Sequence, residues 1–188
     1  MTALEQALVA LARFCETQRI PYMVIGGVAN LMWGQPRATL DVDASILVEE
    51  TNWSGVITAL RRHFRVIPSD PLTFVRDTHV LPVETEQGVR IDLVWAWLPY
   101  EHKAIARAVC EDIAGCQVRV CRPEDLIIHK IISDRPKDRE DVQAVVRRQA
   151  GRLDRAYLTR IVQALARALD RPDLLAFLDA CFRRRHSR

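Results

Sequence analysis

The chain has 188 residues, of which 49% are hydrophobic and 27% charged, with a formal net charge of +3; this suits one compact domain, or one with a small helical annex, and provides apolar side chains for a real core. No window approaches the apolar length needed to span a bilayer, and the opening residues carry Glu5 with neither a basic leader nor a small-residue cleavage site, so a cytoplasmic protein without a membrane partner is expected. The five cysteines, Cys15, Cys110, Cys116, Cys121 and Cys181, show no C-x-x-C pair and no zinc spacing and are read as reduced thiols.

In chain order, Leu4, Leu8, Leu11 and Cys15 share one helical face, so residues 2–19 are predicted to form an amphipathic helix that Pro21 stops. Tyr22 to Ile25 reads as a short buried strand, followed by Gly26-Gly27 and a short helix from Val28 to Trp33 closed by Gly34 and Pro36. Asp41 to Val48 is a second strand, and Thr51 to His63 a capped helix. Residues 64–67 and 72–75 are expected as short strands around the Pro68/Pro71 turn, and residues 79–83 and 89–95 as a hairpin about Gln87-Gly88. Beyond Tyr100 come a short helix, strands near 108–113 and 117–120 joined at Gly115, and four helical patterns over 123–133, 138–149, 155–169 and 172–185. The expected architecture is an α/β (α+β) fold, with a sheet module over residues 1–120 and a C-terminal helical bundle over 121–188.

Charge divides along the same line. Residues 1–100 hold eight Lys and Arg against eleven Asp and Glu, whereas residues 101–188 hold nineteen against thirteen, with arginines recurring at Arg148, Arg152, Arg155, Arg160 and Arg167 and ending in Arg183-Arg184-Arg185. An acidic half suits metal ions and a basic half suits a polyanion such as RNA, although solvated helix faces produce the same surplus. Lysine is rare: Lys103, Lys130 and Lys137 stand against 24 arginines. A lysine in such a chain is a choice of compact charge.

Asp41-Val42-Asp43 falls on a predicted strand, where residues i and i+2 leave the same face, so the two carboxylates converge. Carboxylates held that close repel each other unless a divalent cation neutralises them. Asp92 sits in the apolar strand 89–95, and if the two strands are neighbours the three acids form an oxygen-ligand site for Mg²⁺. Such a site supports two-metal phosphoryl transfer. A lone D-x-D also caps or solvates strand ends, and a lone Gly-Gly is often only a tight turn; here Gly26-Gly27 stands between a strand and a helix, where backbone N–H groups and a helix N-terminus suit a triphosphate.

Taken together, Gly26-Gly27-Val28-Ala29, then Arg37-Ala38-Thr39-Leu40-Asp41-Val42-Asp43, then Asp92 resemble the nucleotidyltransferase superfamily with the DNA polymerase beta fold. Lys130, Arg135, Lys137, Asp138 and Asp141 follow the K-x4-R-x-K-D-x-x-D motif and are similar to the AbiEii-like nucleotidyltransferases, toxins of type IV toxin–antitoxin systems. The resemblance implies a minimal nucleotidyltransferase sheet flanked by helices, an NTP substrate, two Mg²⁺ ions on Asp41, Asp43 and Asp92, and phosphate contacts from Gly26 and Gly27. It further implies that Lys130 and Lys137 grip the triphosphate, that Asp138 is an essential acid orienting a lysine or the acceptor, and that tRNA or protein is the acceptor and an antitoxin the partner.

The sequence departs from that pattern in three ways, one being the thirteen residues between Gly27 and Asp41, more than is usual. Gly26-Gly27 replaces the superfamily's usual Gly-Ser, so phosphate contact there must come from backbone, and no lysine precedes Lys103, so the lysine-rich second motif of the toxin relatives is missing. An antibiotic-modifying nucleotidyltransferase and a catalytically inactive nucleotide- or RNA-binding module are the competing expectations.

Overall fold

The computed structural model describes residues 1–149 and 151–183; Arg184 and Arg185, the end of the basic tail, lie outside the described residues. The chain forms two compact units, one from Met1–Val28 with Ala38–Cys121, the other from Ala29–Arg37 with the chain from Arg122 onward.

The first unit is built on a mixed sheet whose strands are β1 (Tyr22–Ile25), β2 (Val42–Ile46), β3 (Arg65–Val66), β4 (Val80–Glu84), β5 (Arg90–Trp95), β6 (Val109–Ile113) and β7 (Cys116–Val120). Their order is β3-β4-β5-β2-β1-β7-β6. β1 runs antiparallel to β2 and parallel to β7, and β2 runs parallel to β5. All four residues of β1 are buried, the continuous apolar run expected of a central strand covered on both faces. The β4–β5 hairpin turns through Gly88, whose N–H donates to the Thr85 carbonyl.

Helices flank this sheet. Helix α1 (Ala3–Gln18) opens on a capping box in which the Glu5 N–H donates to Thr2 Oγ1 at 3.2 Å and the Thr2 N–H to Glu5 Oε2 at 2.7 Å. It buries Leu8, Leu11 and Cys15 and ends at Arg19, a residue in the left-handed region at φ 56°. Helix α2 (Gly26–Trp33) follows β1 directly, and α3 (Trp53–Leu60) follows a 3-10 turn over Glu50–Asn52.

Residues 72–75, expected as a strand, belong instead to helix α4 (Pro71–Thr78). Asp70 is its N-cap, accepting from the Thr73 N–H at 3.2 Å, and Pro71 occupies the first turn, where its missing N–H costs nothing. The burial period decides the matter: Pro71 and Val75 are buried and Thr73 and Phe74 exposed, a spacing of four where a strand would alternate. Helix α5 (Pro99–Ala106) completes the unit.

The second unit is helical: α6 (Pro123–Ile131), α7 (Pro136–Gln149), α8 (Arg155–Ala168) and α9 (Asp173–Arg183). Pro136 starts α7 and separates it from α6, as the ring's clash with a preceding carbonyl requires. Leu126, Ile127, Val142, Val145, Leu158, Val162 and Leu174 form its core, each fully buried. Inside it the Tyr157 hydroxyl donates to Asp125 Oδ1 at 2.7 Å. Among the described residues there are nine α-helices and no helix long and apolar enough to cross a membrane. No disulfide links the five cysteines, all of which are described.

Candidate active site

Two of the acids expected to act together, Asp43 and Asp92, stand side by side at one end of the central strands. Asp43 is the register partner of Ile25 across β1–β2 and of Asp92 across β2–β5. Neighbouring strands lie about 4.8 Å apart and register partners project to the same face, so the Asp43 and Asp92 carboxylates leave the sheet side by side. Asp41 stands one residue before β2, is exposed, and accepts at Oδ1 from the Thr39 hydroxyl at 3.1 Å.

Gly26 ends β1 beside them. Its φ is +62°, a left-handed conformation, and a Cβ added to it would collide with the Asp43 carboxylate. A Cβ on Gly27 would collide with the Thr39 hydroxyl. Both glycines thus give up a side chain so that the segment around Asp41 and Asp43 can pack against the start of α2. With no hydroxyl on Gly26 or Gly27 themselves, what these two residues offer a ligand is backbone N–H at a helix N-terminus, which favours anions.

Arg90 completes the local electrostatics, and the sequence reading missed it. Its Nε donates to Asp92 Oδ1 at 2.8 Å, with the Arg90 side chain 55% and the Asp92 side chain 22% exposed. The hydrogen bond to Asp92, opposed by desolvation and reinforced by the charges of Asp92, Asp41 and Asp43, holds the guanidinium above its ordinary value. One cation therefore feels all three carboxylates. The i, i+2 spacing of Arg90 and Asp92 on one strand was the signal available in the sequence.

Three carboxylates offer only hard oxygen donors, the chemistry magnesium prefers. The room left by Gly26 is what lets the Asp43 carboxylate lie at the end of β1, so Asp43 and Asp92 fit such an ion by donor type and by address, with Asp41 near by in sequence. The shell is not closed: among the described residues no group of three His, Cys, Asp or Glu side chains is arranged to hold a metal ion.

Within the helical unit, the K-x4-R-x-K-D-x-x-D residues form an ion network. Lys130 Nζ lies 2.8 Å from Asp138 Oδ1 and 2.8 Å from Asp141 Oδ2, and its side chain is only 8% exposed. Arg135 Nε binds Asp138 Oδ2 at 2.6 Å, Arg37 Nη2 binds Asp141 Oδ2 at 3.0 Å, and Asn30 Nδ2 donates to Asp141 Oδ1 at 3.1 Å. Burial pushes the Asp138 and Asp141 carboxyls up. The bonds from Lys130 and Ser133 to Asp138, and from Arg37 and Lys130 to Asp141, outweigh it and hold both below the usual carboxylate range. Lys137, one residue before Asp138, is exposed. The spacing of the motif brings four of its members together; it could not name Asn30 and Arg37, which come from a distant stretch of sequence.

Comparison with known proteins agrees with this architecture. The sequence matches, over residues 2–171, a family described as a nucleotidyltransferase of unknown function (DUF6036). No protein of curated function matches it. Among solved structures, ANT(2")-Ia in complex with adenylyl-2"-tobramycin has a TM-score of 0.56 and 18% identity, over 90% of this chain and 99% of that one. An antigenic nucleotidyltransferase-like protein from Paracoccidioides brasiliensis has a TM-score of 0.52 and 18% identity, over 94% and 92%. At that identity the likeness is one of fold. The family match covers most of the sequence, and the chain belongs to this nucleotidyltransferase family.

Proposed function

We propose that the chain transfers a nucleoside monophosphate from an NTP to an acceptor hydroxyl, using magnesium, as two ions, on Asp41, Asp43 and Asp92. The observation that carries this reading is the register pairing of Asp43 with Asp92 beside Gly26, which gathers carboxylates and a helix N-terminus at one end of the sheet. In the reaction the acceptor oxygen bonds to the α-phosphorus and the bond from that phosphorus to the bridging oxygen breaks. Pyrophosphate leaves, and the hydroxyl proton passes to Asp92. Gly26 and Gly27 present their N–H groups to phosphate oxygens. Bound divalent ions supply neutralisation of the triphosphate and a lower pKa for the acceptor hydroxyl.

In this reading residues 1–120 carry the catalytic core and 121–188 form the helical subdomain. There Asp138 and Asp141 hold Lys130 as a positioned cation, and Lys137 is the exposed cation open to a phosphate. The ion network among Lys130, Arg135, Asp138 and Asp141 supports the finer assignment to the AbiEii-like group, with a toxin role, a cognate antitoxin as partner and a cytoplasmic setting. The basic surplus of residues 101–188 favours RNA, tRNA in particular, as acceptor.

Labelled NTPs incubated with the chain, Mg²⁺ and total tRNA provide the test. Label on tRNA with release of pyrophosphate, abolished by chelation, is the expected result. The fold shared with ANT(2")-Ia keeps a second reading open, an antibiotic-modifying enzyme, for which label would pass to an aminoglycoside and not to tRNA. NTP binding with no label passed to any acceptor and no pyrophosphate released from the NTP would make the chain an inactive nucleotide-binding module and overturn the proposal.

A further inference from the structure

Arg90 and Asp92 leave the same face of β5. The register partner of Arg90 on β4 is Glu84, but Glu84 is held by Arg65, whose Nη2 lies 2.6 Å from Glu84 Oε1. Arg90 instead turns along its own strand and binds the acid of the carboxylate cluster at 2.8 Å. We propose that Arg90 is the resident counter-ion of this cluster: its guanidinium holds Asp92 while no divalent ion is bound, swings away when one enters, and is then free to fork onto phosphate oxygens of the NTP.

The inference rests on the metal reading of Asp41, Asp43 and Asp92 given above. Carboxylates held side by side repel one another, and Arg90 is bonded to Asp92 while its charge also interacts with Asp41 and Asp43. A carboxylate oxygen engaged in a charge-assisted hydrogen bond is a poorer ligand, and a guanidinium beside a divalent ion repels it, so the two cations compete for Asp92. Arg90 is more than half exposed, so it can leave without disturbing the strand. A guanidinium fork matches phosphate in a way that an ammonium does not, which makes the displaced side chain a phosphate ligand.

The test measures Mn²⁺ binding by electron paramagnetic resonance for the intact protein, Arg90→Ala and Arg90→Gln, each with and without a non-hydrolysable NTP analogue; the glutamine variant retains bulk should the alanine variant fold poorly. Without nucleotide, both variants are expected to bind Mn²⁺ about tenfold more tightly than the native chain, while their affinity for the analogue falls about tenfold. Unchanged or weaker Mn²⁺ binding in a folded variant would overturn the counter-ion role and leave the metal reading standing, because the native chain still binds. Tighter Mn²⁺ binding with analogue affinity unchanged would overturn the phosphate role. No Mn²⁺ binding by any form, with or without the analogue, would remove the metal reading and this proposal with it.

Discussion

Asp43 and Asp92 are direct register partners across the parallel pair β2–β5. Two carboxylates on strands about 4.8 Å apart repel each other, and removing one charge relieves that repulsion. Asp43→Asn is therefore expected to leave the melting temperature without divalent ions unchanged or slightly raised, while abolishing nucleotidyl transfer. Mg²⁺ should stabilise the native chain and not the variant, since only an ion bound to the folded state raises its melting point. Calorimetry with and without Mg²⁺ reads both effects. A variant that melts lower without Mg²⁺ would mean that Asp43 is a structural acid.

Gly26 is fixed by two constraints, its positive φ and the approach of the Asp43 carboxylate. Gly26→Ala should destabilise by about 1–3 kcal/mol, the order of cost for a side chain held in the left-handed region against contact. In an Asp43→Ala background the clash is smaller and the φ strain remains, so part of that cost should disappear. Chemical denaturation of the four proteins gives the coupling, expected at about 0.5 kcal/mol or more. Strict additivity would show that the carboxylate is not the obstacle.

Much of this site was legible in the sequence because it depends on local periodicity. Parity puts Asp43 on a defined face of its strand, and Asp92 was conspicuous as an acid in an apolar run. Parity could not say that β2 and β5 are neighbours, since parallel pairing joins segments remote in sequence, and it does not hold Asp41 in the strand, which begins at Val42. Leu72-Thr73-Phe74-Val75 is too short a stretch to show a distinguishing period; the deciding signal is Asp70 followed by Pro71, a helix cap and first-turn pair. Asn30 and Arg37 meet Asp141 through tertiary packing alone, which no spacing rule reaches.

Lys130 and Lys137 share a motif but differ in burial, and the difference predicts separable effects. Lys130→Met would leave Asp138 and Asp141 buried without their common ammonium and should cost about 3–5 kcal/mol, the penalty for breaking a buried pair by removing one partner. Lys137→Ala removes an exposed side chain and should change stability by no more than about 0.5 kcal/mol. If Lys137 contacts the NTP, the KM for NTP rises in that variant. Urea denaturation beside steady-state kinetics separates the two, and a Lys130→Met chain of native stability would show that the ammonium is dispensable to the network.

His129 gives the helical unit its own dependence on pH. The residue sits on α6 with its Nε2 shut from solvent. Burial, with the neighbouring Lys130 charge, pushes its pKa from 6.5 down to about 4. The folded state thus favours the neutral ring, while the unfolded chain takes up a proton near pH 6.5. The stabilisation is complete above pH 6.5, declines as the pH falls from 6.5 toward 4, and has vanished below. The slope for one proton is about 1.4 kcal/mol per pH unit, and the loss across the window is up to roughly 3 kcal/mol. Asp138 and Asp141, whose carboxyls are held below the usual range, contribute stability above the unfolded carboxylate value of about 3.9 and lose it only as the pH falls through their lower folded values, beneath the histidine window. Urea unfolding of the native chain between pH 7 and 4.5 should therefore show a steady fall, and His129→Gln, which has no ring to protonate, a flatter line. Equal slopes in the two proteins would assign the decline to other groups and remove His129 as its cause.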